Sequence, residues 1–104
     1  MANTQRVYVY ATGDVFVPYR VFPPVTILKK NETMEVVNTT DVDALWEVPP
    51  GLLDDGAINE TVPGKGGRKS KDAKKDGLRV GAYQVSVGGR RAHAHSDPRI
   101  IIDL

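Results

Sequence analysis

The chain contains no cysteine, only three serines and only two histidines among its 104 residues. Without cysteine there is no disulfide, no thiolate nucleophile, no zinc finger and no iron–sulfur ligation. None of the serines, Ser70, Ser86 and Ser96, stands in a G-x-S-x-G motif, and no other pairing of nucleophile and base is evident. We therefore predict that the protein is not an enzyme, and an active site formed only within an oligomer ranks last among the alternatives.

Targeting signals are also missing. The N-terminal stretch MANTQRVYVY has neither the basic start nor the apolar run of a secretion signal. No apolar segment approaches the roughly 20 residues needed to cross a bilayer, so we expect no membrane span. As written, the sequence predicts a soluble, cytoplasmic protein, but a chain whose leader had been removed would look the same, so the compartment stays open.

What the sequence does contain is a period-two alternation of β-branched and aromatic residues, and the helical pattern of apolar residues is nowhere sustained. In Arg6–Tyr10, for example, Val7 and Val9 share one face and Tyr8 and Tyr10 the other. About seven short strands at intervals of roughly 8–12 residues predict a single all-β domain over residues 1–104, a Greek-key sandwich. The main predicted strands are Arg6–Tyr10, Val25–Lys29, Thr33–Asn38, Ala44–Val48, Gly81–Val87 and Ile100–Leu104.

Between these strands, residues 51–79 are rich in Gly, Asp, Lys and Pro and predict one long basic loop whose order the sequence leaves open. A basic segment of this kind can attract an anionic partner, although it more often only solubilises a surface. The tyrosines are scattered rather than arrayed beside it, so we do not expect nucleic-acid binding. The candidate partner-binding residues are Lys65, Arg68, Lys69, Lys71, Lys74 and Lys75.

From Phe22 to Leu104 the order of segments resembles the cupredoxins, the Greek-key copper proteins related to plastocyanin. The resemblance is carried by VTILKKNETMEVVNTTD, by the connections VPPG and VPGKG, by GAYQVSV and by DPRIIID. It implies a cupredoxin-like sandwich and, if a leader was removed, a periplasmic or secreted location.

The resemblance does not extend to the copper ligands. In copper-binding members a His follows the Asn/Asp turn, and a Cys ends the penultimate strand and is followed by a His and commonly a Met. Here the segment after Asn38 offers Asp41, Asp43 and Ala44, and Ser86 or Val87 stands where the Cys is expected. The thiolate of a blue-copper centre is therefore missing, and we predict no cofactor.

The two histidines suggest an alternative. If the strand from Arg91 is extended, His93 and His95 lie on one face about 6.5–7 Å apart, and Asp97 follows as a third ligand for a non-blue Cu(II) or Zn site. Because H-x-H also occurs in ordinary strands, the leading hypothesis is a metal-free binding, structural or accessory domain. Its partner would be another protein or a second copy of the chain.

Overall fold

The computed structural model describes residues 3–75, 77–94 and 97–103, and within these residues it contains strands, turns and loops but no helix. The all-β prediction is therefore confirmed, and no described segment could cross a membrane as a helix. The described residues form eleven short strands rather than the expected number of about seven. They are β1 Thr4–Ala11, β2 Tyr19–Phe22, β3 Val25–Leu28, β4 Thr33–Asn38, β5 Ala44–Val48, β6 Ile58–Val62, β7 Gly67–Asp72, β8 Arg79–Ala82, β9 Gln84–Val87, β10 Arg90–Arg91 and β11 Arg99–Ile102.

The strands form three sheets in non-sequential order: β2-β1-β4-β7, β10-β9-β5-β6 and β3-β11-β8. Only Tyr83 separates β8 from β9 along the chain, so one nearly continuous segment passes from the third sheet into the second. The predicted strand Gly81–Val87 is thus divided: β8 pairs with β11, and β9 pairs with β5.

The core is built from the side chains that alternation predicts to point inward. Val7 and Val9 are fully buried while Tyr8 and Tyr10 remain partly exposed, and Trp46 is fully buried between the strands. Tyr83, Val85 and Val87 also face the interior, as their spacing predicted. Buried residues from all three sheets form one apolar cluster.

The prediction of a single long loop over residues 51–79 was wrong, because this stretch contains β6 and β7. β6 pairs with β5 and buries Ile58 and Val62, a short alternation that the surrounding glycines and charges concealed. β7 pairs with β4 along its whole length although its sequence, GRKSKD, has no apolar residue.

A strand without apolar residues is stable here because β7 lies at the edge of its sheet. Lys69 and Lys71 stand opposite the buried Val36 and Met34; Lys69 is exposed, and the ammonium of Lys71 lies 2.8 Å from Glu60. Lysines on an edge strand also discourage uncontrolled strand pairing between molecules.

The turn at Lys29–Glu32 connects β3 to β4 tightly, and Asn31 has the left-handed backbone expected of it, with φ of 70°. The two strands do not form a hairpin, because β3 pairs with β11 and β4 pairs with β1 and β7. The reversal predicted at Gly88-Gly89 is present, with φ of 57° and 79°, and it joins β9 to β10.

Candidate functional site

The resemblance to the cupredoxins predicts metal ligands at the end of the sandwich where β5 begins and β9 ends. The strand register puts Ala44 directly opposite Val87, and both side chains are buried. Neither has a lone pair to offer a metal ion. The residues at these two positions therefore do not fit the type-1 copper of the resembling family.

The loop that leads into Ala44 is organised by Asn38. Its side-chain nitrogen donates to the carbonyl oxygens of Val42 at 2.8 Å and Val62 at 3.0 Å. Its side-chain oxygen accepts from the N–H of Thr40 at 3.0 Å and from the hydroxyl of Thr40 at 2.7 Å. This buried amide therefore uses both of its donors and two acceptor positions to hold the loop in place.

The two aspartates of this loop do not converge on a site. Asp41 and Asp43 are both exposed. One carboxylate oxygen of Asp43 accepts from the N–H of Gly64 at 3.1 Å, which ties the loop to the turn before β7. Asp43 thus has a structural partner, in line with the role of acids in turns.

The structure fixes only part of the proposed triad of His93, His95 and Asp97, because His95 lies outside the described residues. His93 is half-buried; its N–H donates to the carbonyl of Tyr19 at 3.1 Å, and its own carbonyl accepts from the N–H of Val21 at 2.9 Å. Within the described ranges no three His, Asp or Glu side chains form a metal-binding group. The triad stays a prediction.

Two features near His93 bear on whether the proposed triad binds a metal. Asp97 accepts a hydrogen bond from the guanidinium of Arg91 at 3.3 Å, which engages the proposed third ligand. Ala92 and Ala94 are buried, as expected if this segment packs its small residues against the sheet.

The basic residues are largely paired with acids. Arg68 lies 3.4 Å from a Glu35 oxygen, and Lys71 lies 2.8 Å from Glu60. Lys74 lies 3.5 Å from Asp54, and Lys75 contacts Asp55. Four of the six candidate partner-binding residues therefore have a carboxylate beside them, and the net positive field of this region is smaller than the sequence suggested. Their role in binding a partner stays a prediction.

These contacts lower the pKa of two carboxyl groups. The pKa of Glu60 is lowered by the hydrogen bond and the charge of Lys71, with a smaller contribution from Lys69. The pKa of Asp54 is lowered first by the N–H of Asp55, which donates to it, and then by Lys74. Because both carboxyl groups are solvent-exposed, the pairs contribute little to stability.

The surface that the sequence analysis missed is the outer side of the β3-β11-β8 sheet. Ile27, Ile101 and Val80 stand side by side in register across the three strands, and in the adjacent row Arg99 stands between Val25 and Ala82. Val80 is 57% exposed, Ile27 55% and Val25 41%. We call Val25, Ile27, Val80, Ala82 and Ile101 the apolar face.

The outer sides of the other two sheets are different. On β10-β9-β5-β6, the row Asn59, Glu47 and Gln84 is polar, and Leu45 is the one large apolar side chain exposed there among the described residues. On β2-β1-β4-β7, Tyr8 stands in register between Phe22 and Val37, so apolar side chains of neighbouring strands also meet there, and Glu35 accepts from Arg6 at 2.9 Å. The row Ile27, Ile101 and Val80 differs in that all three of its side chains are aliphatic.

A signal for this face was present in the sequence. Three consecutive isoleucines occupy Ile100–Ile102, whereas a strand with one solvent-exposed face would alternate apolar and polar residues. Ile100 and Ile102 are fully buried, and Ile101 necessarily points to the opposite side. A run of residues that is apolar on both faces indicates a strand that buries both of its faces. In the described residues only the face that carries Ile100 and Ile102 is fully buried.

No protein-family model and no curated protein sequence matches this chain. Solved structures of amicyanin do match its fold. A reduced tryptophan-to-tyrosine variant superposes with a TM-score of 0.63 at 13% identity, covering 96% of this chain and 82% of that chain. A Cu(I) form of a proline-to-glycine variant at pH 4 gives 0.59 at 12% identity, with coverages of 97% and 81%. Identities this low establish a shared fold and nothing about a shared site.

Proposed function

We propose that this chain, a cupredoxin-like sandwich without the cysteine ligand of that fold family, is a non-enzymatic binding domain that attaches to another protein surface through its apolar face. The observation that carries the proposal is the row Ile27, Ile101 and Val80, which places three β-branched side chains side by side on a sheet surface where, among the described residues, Ile27 and Val80 stay more than half exposed. Contiguous apolar patches mark interaction sites more often than scattered apolar residues do.

The energetics favour covering this face. Each square ångström of apolar surface removed from water contributes about 25 cal/mol. Apart from Arg99, the outward side chains of β3, β8 and β11 are small or branched aliphatic groups, so they lose little conformational freedom when a partner packs against them. The burial of Ala44 and Val87 supports the proposal, because neither side chain offers a ligand for a type-1 copper.

The test uses the apolar dye anilinonaphthalene sulfonate on the full chain at low protein concentration. We expect the dye to gain fluorescence with the wild type and to lose most of that gain with Ile101→Lys. Leu45→Lys is the matched control, since Leu45 is an exposed apolar residue on the outer side of another sheet. Circular dichroism would confirm that both variants fold.

An unchanged dye response in Ile101→Lys, or an equal loss in Leu45→Lys, would refute the assignment of the binding surface to the apolar face. The metal alternative is tested separately by calorimetric titration of Zn²⁺ and Cu²⁺ into the wild type and into His93→Ala/His95→Ala. We expect no site tighter than micromolar. A tight site that the double substitution removes would establish the metal-binding function instead.

A further inference from the structure

We propose that the outer side of the β2-β1-β4-β7 sheet is a second binding surface, and that its ligand is a single strand of nucleic acid. This inference is independent of the apolar face, which lies on another sheet. It is carried by a strand register that places three aromatic rings among three arginines. We call these residues the aromatic face: Tyr8, Tyr10, Phe22, Arg6, Arg20 and Arg68.

Strand pairing brings the three aromatic side chains together. Tyr8 and Tyr10 project from the same side of β1, because the valines that alternate with them are buried on the other side. Phe22 of β2 stands opposite Tyr8. All three rings are exposed, so each leaves part of its surface open to a ligand.

The spacing of the rings suits a strand whose bases are separated rather than stacked on each other. Tyr8 and Tyr10 are two residues apart on one strand, a separation of about 6.6 Å. Four-stranded sheets that bind single-stranded RNA carry aromatic side chains on which two or three bases stack. Such stacking tolerates any sequence, because every base has a π-face.

Two of the arginines come from strands on either side of the rings. Arg20 of β2 stands opposite Tyr10. Arg68 of β7 stands opposite Val37, which in turn stands beside Tyr8, so Arg68 lies two strand spacings from that ring, about 9.6 Å. Val37 points outward but is only 5% exposed, so the neighbouring side chains pack over it.

This register removes the reason for expecting no nucleic-acid binding. That expectation rested on the distance along the chain between the tyrosines and the basic segment. Because β7 joins the sheet of β1, Arg68 of the basic segment reaches the same surface as Tyr8 and Tyr10.

One carboxylate positions two of the arginines. The same oxygen of Glu35 lies 2.9 Å from Nε of Arg6 and 3.4 Å from a terminal nitrogen of Arg68. Glu35 thus holds both guanidinium groups on the outer side of the sheet but balances only one of their two charges. Both arginine side chains stay more than half exposed, and a guanidinium has five N–H donors, so donors remain for phosphate oxygens.

The charge balance around the rings favours an anionic ligand. Arg20 donates to the carbonyl oxygen of Ala94 at 3.4 Å, a neutral partner that does not cancel its charge. A second outward carboxylate, Asp72, lies four residues along β7 from Arg68 and accepts from the hydroxyl of Thr33 at 2.7 Å. Close to the rings, three arginines therefore face one carboxylate.

A shallow cavity continues the aromatic face at the edge of β2. It has a volume of about 180 Å³, and Tyr10, Arg20 and Phe22 line it together with Pro24 and Ala94. A flat base can enter this cavity beside the two rings while the guanidinium of Arg20 binds the adjoining phosphate.

The combination of rings and arginines identifies the class of ligand. A neutral sugar chain would use the rings and leave the arginines without a partner, and an acidic peptide would use chiefly the arginines. A single nucleic-acid strand offers bases to the rings and phosphates to the guanidinium groups along one continuous backbone.

The test measures the fluorescence anisotropy of a labelled oligothymidylate of about ten nucleotides as the full chain is added at low salt. We expect a dissociation constant of about 1–100 µM. If three arginines contact phosphates, the logarithm of the association constant should fall with the logarithm of the salt concentration with a slope of about −2. Polyglutamate of the same length, which offers charge without bases, should compete about tenfold less well.

Two pairs of variants locate the site. Tyr8→Leu keeps an apolar side chain but removes the π-face, so we expect the affinity to fall about tenfold, whereas Tyr8→Phe should bind like the wild type. Arg68→Gln should weaken binding and reduce the salt slope by about 0.7. Lys69→Gln is its matched control, because it removes the same charge from the next residue, which stands on the other side of β7, and it should change neither quantity.

No binding tighter than about 1 mM at low salt would overturn the proposal. Polyglutamate that competes equally, or full affinity in Tyr8→Leu, would identify a surface for acidic peptides instead of nucleic acid. Equal losses in Arg68→Gln and Lys69→Gln would remove the site from this sheet. Thermal melts of every variant separate loss of binding from loss of folding.

Discussion

Removing the side-chain amide of Asn38 should destabilise the whole sandwich, although this residue is polar and lies at one end of the molecule. Asn38 is fully buried, and its four hydrogen bonds join the loop before β5 to the end of β6. Asn38→Ala removes all four bonds at once and leaves the surrounding backbone in place.

The structure allows the loss to be estimated. The carbonyl of Val42 keeps a donor, because the hydroxyl of Thr40 also lies 2.8 Å from it. The N–H of Thr40 loses its side-chain acceptor and the carbonyl of Val62 loses its side-chain donor, and a buried group left unsatisfied costs about 1–3 kcal/mol. We therefore expect the free energy of unfolding to fall by about 3 kcal/mol, which lowers Tm by roughly 15 °C in a domain of this size.

The assay is chemical or thermal unfolding followed by circular dichroism, with Asn59→Ala as the control because Asn59 is exposed on β6. The control should change stability by less than about 0.5 kcal/mol. Asn38→Asp should be worse than Asn38→Ala at neutral pH, since an ionised carboxylate would face two carbonyl oxygens, and it should recover partly in acid. Equal stabilities of Asn38→Ala and Asn59→Ala would refute the reasoning.

Two further predictions concern the region around β7. Gly67→Ala should destabilise the protein, because an added Cβ would clash with the carbonyl oxygen of Pro63, whereas Gly56→Ala meets nothing within 4 Å and should be neutral or slightly stabilising in the same melts. Lys71 holds the folded pKa of Glu60 below the ordinary value of 4.5, so this exposed pair adds a small stabilisation above that pH, which is lost as pH falls through the lower folded pKa. Unfolding measured across that acid range should show a difference between wild type and Glu60→Gln that vanishes at the lowest pH; a difference that persists there would contradict the assignment.

The sequence was sufficient for the features that depend on alternation. The two faces of β1 and β5 follow from Val7, Tyr8 and Trp46 because one side of each strand must be buried. The missing copper ligand was equally plain, since no cysteine is present. These features could be predicted because they depend only on residues that are close together in the sequence.

The features that the sequence did not predict depend on contacts between residues that are distant in the chain. β7 was hidden because an edge strand needs no apolar residue, and Lys69 and Lys71 gave the appearance of a loop. The apposition of Ala44 and Val87 requires the register between β5 and β9, which no local pattern contains. The apolar face escaped for the same reason: Ile101 is notable only once Ile27 and Val80 are found beside it.

The most direct test of the apolar face as the binding surface is a titration of anilinonaphthalene sulfonate into the full chain, followed by nitrogen–proton correlation spectra. The account predicts amide shifts that grow with dye concentration and cluster on β3, β8 and β11, with the largest changes around Ile101. Spectra that do not change as the dye is added, or shifts that concentrate on the lysine-bearing strand β7 instead, would contradict it.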